Sequence, residues 1–246
     1  MKTQIDDRKK ESYKIFDSIA PTYDSLNHIL SFGIDILWRK KLTKKLPRKK
    51  ELFVVDLATG TGDVALHLSQ EKSIQKIQGF DLSKKMVEIG RQKVQKKQVQ
   101  HKVSLDIGDG MNIPLEDNSA DVITLSFGIR NFSNPQKGLD EIYRVLKPGG
   151  RALIMEFSIP KNTLIKKAYF FYFRKVLPWI GNKVSGHKDA YTYLNKTVES
   201  FPYGKKFLNL MNKAGLTSLE ANPLTFGIST LYVGNKKAPT GKLSHD

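Results

Sequence analysis

The stretch Leu52-Phe-Val-Val-Asp-Leu-Ala-Thr-Gly-Thr-Gly-Asp-Val-Ala65 constrains the fold of this chain more than any other. Leu52, Phe53, Val54 and Val55 form a short apolar run of the kind buried on both faces of a sheet, and the run stops at the acid Asp56. Gly60 and Gly62 permit a tight turn whose backbone approaches a ligand closely, after which Val64, Ala65 and Leu68 fall at helical spacing. A strand, a glycine loop and a helix start make the half-site at which α/β sheets bind nucleosides.

The spacing Gly60-x-Gly62-x-x-Ala65, with Asp81 nineteen residues beyond Gly62, also satisfies the dinucleotide fingerprint. A nicotinamide-binding protein or non-catalytic binding module is therefore one alternative. Asp56 weighs against it, because a carboxylate directly before the loop repels a pyrophosphate. The same carboxylate accepts a hydrogen bond from the ammonium of an amino-acid moiety, as in S-adenosylmethionine. Capping of the turn is the structural alternative for Asp56.

Around this centre the pattern alternates. Tyr13 to Asp24 places Ile15, Phe16 and Ile19 on one helical face and meets Pro21, which is expected to end or kink the helix and leave Tyr23 and Asp24 in a loop. Residues 26–46 read as two helical pieces parted at Ser31-Phe-Gly33. Strands follow at 52–55, 74–80, 101–107, 121–127 and 151–157, with helices between them, one starting at Ser83 and one over 139–146. Residues 219–233 complete the pattern as an antiparallel hairpin turning at Gly227. The expected fold is a doubly wound, mostly parallel, seven-stranded α/β sheet with N-terminal helices, its ligand crevice at the carboxyl ends of the strands. An aromatic run, Tyr169 to Phe173 with Trp179, belongs to a helical lid, and helices are expected over 191–201 and 205–214. The chain divides as 1–50, an N-terminal cap; 51–158, the core; 159–215, lid and substrate region; 216–234, the hairpin; and 235–246, a polar tail.

The formal net charge is +17, and Arg39, Lys40, Lys41, Lys44, Lys45, Arg48, Lys49 and Lys50 crowd one stretch. Such a face attracts nucleic acid or an anionic membrane, or is simply a solvated basic surface. With no cysteine, disulfides and thiolate metal sites are excluded, and a cytoplasmic protein is expected. The first ten residues carry no apolar core, so no secretory signal is expected, and no apolar run reaches membrane-spanning length.

Val54-Val-Asp-Leu-Ala-Thr-Gly-Thr-Gly62, Phe80-Asp-Leu-Ser83, Gly108-Asp-Gly-Met-Asn-Ile-Pro114 and Leu146-Lys-Pro-Gly-Gly150 resemble class I S-adenosylmethionine-dependent methyltransferases with a Rossmann-like fold. Phe16-Asp-Ser-Ile-Ala-Pro-Thr-Tyr-Asp24, Ser126-Phe-Gly-Ile-Arg-Asn131, Tyr143 to Gly150 and Glu156-Phe-Ser158 narrow the resemblance to the menaquinone/ubiquinone C-methyltransferases, from about Tyr13 to Val233. The resemblance implies methylation of a ring carbon of a prenylated quinol, with demethylmenaquinol the first candidate and a polyprenyl benzoquinol or an RNA the alternatives. It implies that Thr61, Asp81, Asp109, Gly110 and Ser126 contact S-adenosyl-L-methionine beside Asp56, Gly60 and Gly62. Quinol chemistry needs a base or a stabiliser of phenolate but no metal, and Arg130 and Asn131, directly after the fourth strand, are the catalytic candidates. A surface ion pair is the competing fate of Arg130. Tyr23, Asp24, His187, Asp189, Tyr191 and Tyr193 are assigned to the substrate side, His187 as a second candidate base. No RNA-binding platform or added domain is visible, so nucleic acid is not expected. Peripheral contact with the inner face of the cell membrane is expected, and a homodimer is left open.

Overall fold

The computed structural model describes residues 12–31, 33–179 and 188–238. Seven strands form one sheet: β1 (Leu52–Leu57), β2 (Ile74–Asp81), β3 (Val103–Ile107), β4 (Ala120–Ser126), β5 (Leu146–Phe157), β6 (Thr217–Leu224) and β7 (Ser229–Asn235). Their order is β3-β2-β1-β4-β5-β7-β6. β1 runs parallel to β2 and β4, and β4 parallel to β5, while β7 lies antiparallel between β5 and β6. The order reverses at β1 and β4, so the crevice at their carboxyl ends is the natural ligand site of such a sheet.

Side-chain alternation explains why the strands read as unbroken apolar runs. Val55, Leu57, Ile123 and Leu125 point to one face, where Leu139, Ile142, Phe207 and Met211 cover them. Leu52, Val54 and Val122 point to the other, beneath Trp38, Leu42, Val87 and Val94. The first cover comes from helices α5 (Pro135–Val145) and α8 (Lys205–Lys213). The second comes from α2 (Ile34–Thr43), α3 (Asp63–Leu68) and α4 (Lys84–Lys96). A third cluster roofs the carboxyl ends, joining Ile19 of α1 (Ser12–Leu30) and Met86 of α4 to Tyr169, Phe173 and Val198. Tyr169 lies on α6 (Thr163–Phe171), Phe173 on the π-helical turn that continues it (Tyr172–Val176), and Val198 on α7 (Lys188–Ser200).

Pro21 does not end the first helix; α1 runs through it to Leu30, so Tyr23 and Asp24 are helical rather than in a loop. An interior proline costs a helix roughly 3 kcal/mol. Tertiary anchors on both sides offset that cost: Asp17 accepts from Ser83 Oγ and Lys85 N, and Asp24 accepts from Thr61 Oγ1 and Lys93 Nζ. The expected break between the next two pieces is present, with Gly33 in the left-handed region at φ 72°. Helix α5 begins at Pro135 rather than near Leu139, because Asn134 caps it through Lys137 N and the proline occupies the first turn. The aromatic stretch is a nine-residue α-helix followed by the π turn, a change of period that helical spacing does not announce.

Helix α4 packs unusually close to the glycine loop at Gly90. A Cβ there would stand 2.6 Å from Leu105 Cδ1 and 3.2 Å from the Thr61 carbonyl oxygen. Leu105 is itself buried against Gly62 and Gly79, and the loop backbone must give by a few tenths of an ångström. Gly90→Ala gains about 1 kcal/mol of helix propensity, but overpacking of this kind costs roughly 1–3 kcal/mol. The variant should unfold at lower urea than the parent, and an unchanged or raised midpoint would show that the loop yields freely.

Candidate functional site

Two cavities open at the carboxyl ends of the strands. The smaller, about 300 Å³, is walled by Gly60, Asp81, Gly108, Asp109, Gly110, Ser126 and Asn131, with Phe16 and Tyr23 of α1. Asp81, the last residue of β2, accepts from Gly60 N and Ser83 N, both at 2.8 Å, one bond to each carboxylate oxygen. Each oxygen keeps a second lone-pair direction, and the pair suits a vicinal diol. Burial pushes the Asp81 carboxyl upward, opposed by those two backbone donors. Asp109 accepts from Met111 N at 2.8 Å, which folds the turn after β3. Gly110 admits no side chain, since a Cβ would lie 2.4 Å from the Phe132 ring.

The glycine loop is held from below and above. Asp56 is 1 % exposed, and its two oxygens accept from Thr59 Oγ1 and Thr124 Oγ1, each at 2.6 Å. Burial pushes this carboxyl up to about 6, against the lowering effect of the two hydroxyls. Gly60 and Gly62 occupy positive φ, 56° and 80°. Thr61 donates to Asp24 and accepts from Lys93, which also pairs with Asp24 and Asp63. Arg39 extends the network to Asp63 and Asp35.

The larger cavity, about 480 Å³, is mainly apolar, with Ile19, Trp38, Met155, Phe157, Ile165 and Phe173 in its walls. Its polar lining includes Asp56, Ser126, Arg130, Asn131 and Tyr169. Arg130 stands at the foot of this cavity in the 3₁₀ turn Ile129–Asn131 and is 5 % exposed. It is no surface ion-pair partner: its Nη1 donates to Glu156 Oε1 at 2.8 Å and to the Phe127 carbonyl, and its guanidinium lies 5.2 Å from the Phe157 ring centre. Glu156 is 1 % exposed, so the pair is fully desolvated. Breaking such a pair costs about 3–5 kcal/mol.

The cavities share Phe16, Tyr23, Ala58, Gly60, Ser126, Phe127 and Asn131, so they meet at the ends of β1 and β4. Two of these residues, Ala58 at φ 48° and Phe127 at φ 56°, hold left-handed backbone that side chains disfavour. At the same junction, Ser126 Oγ and Asn131 Oδ1 are buried without a protein partner, as is Arg130 Nε deeper in the larger cavity.

Among the residues singled out in the sequence, Asp56, Gly60, Thr61, Ser126, Arg130, Asn131, Tyr23, Asp24 and Tyr193 line the larger cavity. Asp81, Asp109 and Gly110 line only the smaller one. Gly62 lies behind the loop against Leu105. His187 lies outside the described residues, as do the side chains of Asp189 and Tyr191. Glu156, Lys93 and Tyr169 carry parts of the site that sequence reasoning did not assign. Glu156 stands directly before an aromatic residue at the end of an apolar strand, the position already suspicious in Asp56 and Asp81.

A model of the ubiE/COQ5 methyltransferase family matches residues 2–236. A ubiquinone/menaquinone biosynthesis C-methyltransferase UbiE from Geotalea daltonii is 43% identical over 234 residues, 95% of this chain and 99% of that one. A demethylmenaquinone methyltransferase from Bacteroides fragilis is 40% identical over 232 residues, 94% and 95% of the two chains. Among solved structures, a S-adenosylmethionine-dependent methyltransferase from Thermotoga maritima superposes with TM-score 0.64 at 21% identity, covering 92% of this chain and 100% of that one. A putative methyltransferase of the same dependence from Methanococcus maripaludis gives 0.61 at 22% identity, covering 95% of each chain.

The raised Asp56 carboxyl has a stability consequence whose sign is fixed. An acid lifted from 3.8 to about 6 holds its proton more tightly folded than unfolded. The stabilisation is therefore fully present below about 3.8 and is lost as pH rises through about 6, a change on the order of 3 kcal/mol. Asp56→Asn keeps one acceptor and one donor for the two threonines and does not titrate. Between pH 4 and pH 7 the parent should lose this stability relative to the variant in urea titrations; parallel curves would mean that Asp56 does not titrate in that window.

Proposed function

The chain belongs to the ubiE/COQ5 methyltransferase family, and from that membership and its two joined cavities we propose that it methylates a ring carbon of a prenylated quinol, demethylmenaquinol. The observation that carries the reading is the pairing of a nucleoside-sized cavity that carries the acids Asp81 and Asp109 with a larger, mainly apolar one through a shared wall at Ser126 and Asn131. S-adenosyl-L-methionine, when bound, supplies an electrophilic methyl group on a sulfonium sulfur. The residues present fit it: Asp81 offers two acceptors to a ribose diol, Asp109 an acceptor to the adenine amine, and Asp56 a carboxylate to the ammonium. The Ser126 hydroxyl, buried without a protein partner, would lie near the methionine portion.

On the substrate side the apolar walls exclude water and take the ring and the start of its tail. Loss of the phenolic proton to water raises electron density on the adjacent ring carbon, which would form the carbon–carbon bond as the methyl–sulfur bond breaks and its electron pair stays on the sulfur of S-adenosylhomocysteine. The proton displaced from that carbon leaves as the ring regains aromaticity. Arg130 stabilises the phenolate through the guanidinium edge that Glu156 does not occupy, and Asn131 orients the hydroxyl. Glu156 fixes the guanidinium in place.

The Arg130–Glu156 pair dictates the choice of test. Arg130→Ala strands a buried carboxylate and endangers the fold, whereas Arg130→Lys keeps the charge and gives up the planar fork. With labelled S-adenosyl-L-methionine and a panel of reduced prenylated naphthoquinols and benzoquinols, the parent should methylate the naphthoquinol. Arg130→Lys should retain cofactor affinity and lose roughly 10²-fold in kcat. Methylation confined to benzoquinols would reassign the substrate, and an unchanged kcat would remove Arg130 from the chemistry.

A substrate with a prenyl tail resides in a bilayer, and we place the enzyme at the cytoplasmic face of an anionic membrane. No described helix is long and apolar enough to cross one. Leu37 of α2, Leu164 and Phe171 of α6 and Phe226 in the β6–β7 turn are exposed, and each neighbours a residue that lines the large cavity or lies one position from one that does. Trp38 Nε1 donates to Thr225 Oγ1 and Ser158 Oγ to the Gly227 carbonyl, so α2, the turn and the approach to α6 form one rim. Lys40, Lys41, Lys161, Lys166, Lys167 and Lys175 are exposed on or next to α2 and α6. The protein should sediment with anionic liposomes at low salt, come off as salt rises, and bind neutral liposomes weakly. Leu164→Ser with Phe226→Ser should weaken sedimentation without lowering Tm; absence from both pellets at every salt would leave the basic rim without this role.

A further inference from the structure

Five polar side-chain atoms in the walls of the large cavity are buried with no hydrogen-bond partner among the described residues: Ser126 Oγ, Asn131 Oδ1, Arg130 Nε and the hydroxyls of Tyr169 and Tyr193. Native structures retain few such groups, and those that border a cavity are commonly completed by what the cavity binds. The first three come from the end of β4 and the turn after it, on the side where the cofactor cavity opens. The two tyrosines are different, and of these Tyr193 has the Ser12 side chain beside its hydroxyl whereas Tyr169 has no such neighbour among the described residues. Tyr169 comes from α6 on the roof and takes no part in the cofactor cavity.

The ring of Tyr169 is firmly seated. It is 6 % exposed, stacked on Phe173 at 5.1 Å between centroids and 24° between planes, and packed in the cluster with Ile19 and Met86. Burial raises its phenol above the ordinary range, with Arg130 opposing that rise, so at neutral pH the hydroxyl carries its proton and acts as a donor. A firmly seated donor on the roof helix α6 and the polar groups Arg130 and Asn131 of the turn after β4 thus border one mainly apolar cavity from different elements. A hydroquinone has the matching pattern, with two oxygens at opposite ends of a flat apolar ring, one beside the reacting carbon and the other remote from it.

Building on the quinol reading, we infer that Tyr169 is a substrate-binding residue whose hydroxyl donates a hydrogen bond to the ring oxygen remote from the methylated carbon, while Arg130 and Asn131 hold the near oxygen. Two anchors at opposite ends of the ring fix which ring carbon meets the methyl group. One anchor would leave the ring free to pivot. The hydroxyl also distinguishes a quinol from a phenol that lacks the second oxygen.

The experiment compares the parent and Tyr169→Phe on two substrates: a reduced prenylated quinol and its analogue with hydrogen in place of the remote hydroxyl. Phenylalanine keeps the stack on Phe173, and Tm and S-adenosylhomocysteine affinity serve as controls for fold and cofactor site. In the parent, the quinol should exceed the analogue in kcat/KM. Tyr169→Phe should cut kcat/KM for the quinol by about tenfold, the worth of one hydrogen bond, and leave the analogue within about twofold. Equal losses on both substrates would show that Tyr169 acts through packing alone and would overturn the inference, as would an unchanged quinol rate. A parent that methylates no quinol would remove the functional reading and this inference with it, a result plainly distinct from a working parent and an indifferent variant.

Discussion

The carboxylate of Asp81 joins parts of this protein that are otherwise separate. It receives the Gly60 N–H from the loop after β1 and the Ser83 N–H at the start of α4, so two neighbouring crossover connections are pinned to one strand end. Ser83 passes the connection on: its hydroxyl caps Met86 N and donates to Asp17 of α1. The roof helix is thereby referenced to the sheet through a short chain of hydrogen bonds. The positions of the glycine loop, α4 and α1, and with them the shape of both cavities, follow from that carboxylate.

The cavities are also shaped by conformations that the local sequence disfavours. Ala58 and Phe127 adopt positive φ at the ends of adjacent strands, and Gly128 fits beneath Ala58 only because it has no side chain; a Cβ would lie 2.5 Å from the alanine methyl. Strain of this kind survives where the surrounding structure determines it, and β1 and β4 are both buried and paired on two sides. The rigid strands absorb the cost and the loops display the result.

Strand positions were legible in the sequence because a parallel sheet buried on both faces writes each strand as a compact apolar run, and the acids Asp56 and Asp81 closed two of those runs visibly. Helix α1 was misread because the local cost of Pro21 is plain in the sequence while its compensation, through Ser83, Thr61 and Lys93, lies more than thirty residues away. Arg130 was picked out as a residue, but its burial was not, since its partner Glu156 belongs to the next strand in the sheet. Tyr169 hid among neighbouring aromatics: which ring of Tyr169, Phe170 and Phe171 turns inward depends on the helix phase, and the π turn that follows shifts that phase.

The antiparallel hairpin leaves the sheet with two poor edges. At one end β6 carries Pro223, which has no N–H to offer, and Glu220, which is engaged by Lys45. At the other, β3 is five residues long, and Arg91 grips its Leu105 carbonyl and Asp106 carboxylate. An edge so interrupted is a bad template for a strand from another molecule. Crowded chains of this protein are thus hindered from zipping edge to edge into larger sheets, a protection against aggregation that is built into the outermost strands themselves.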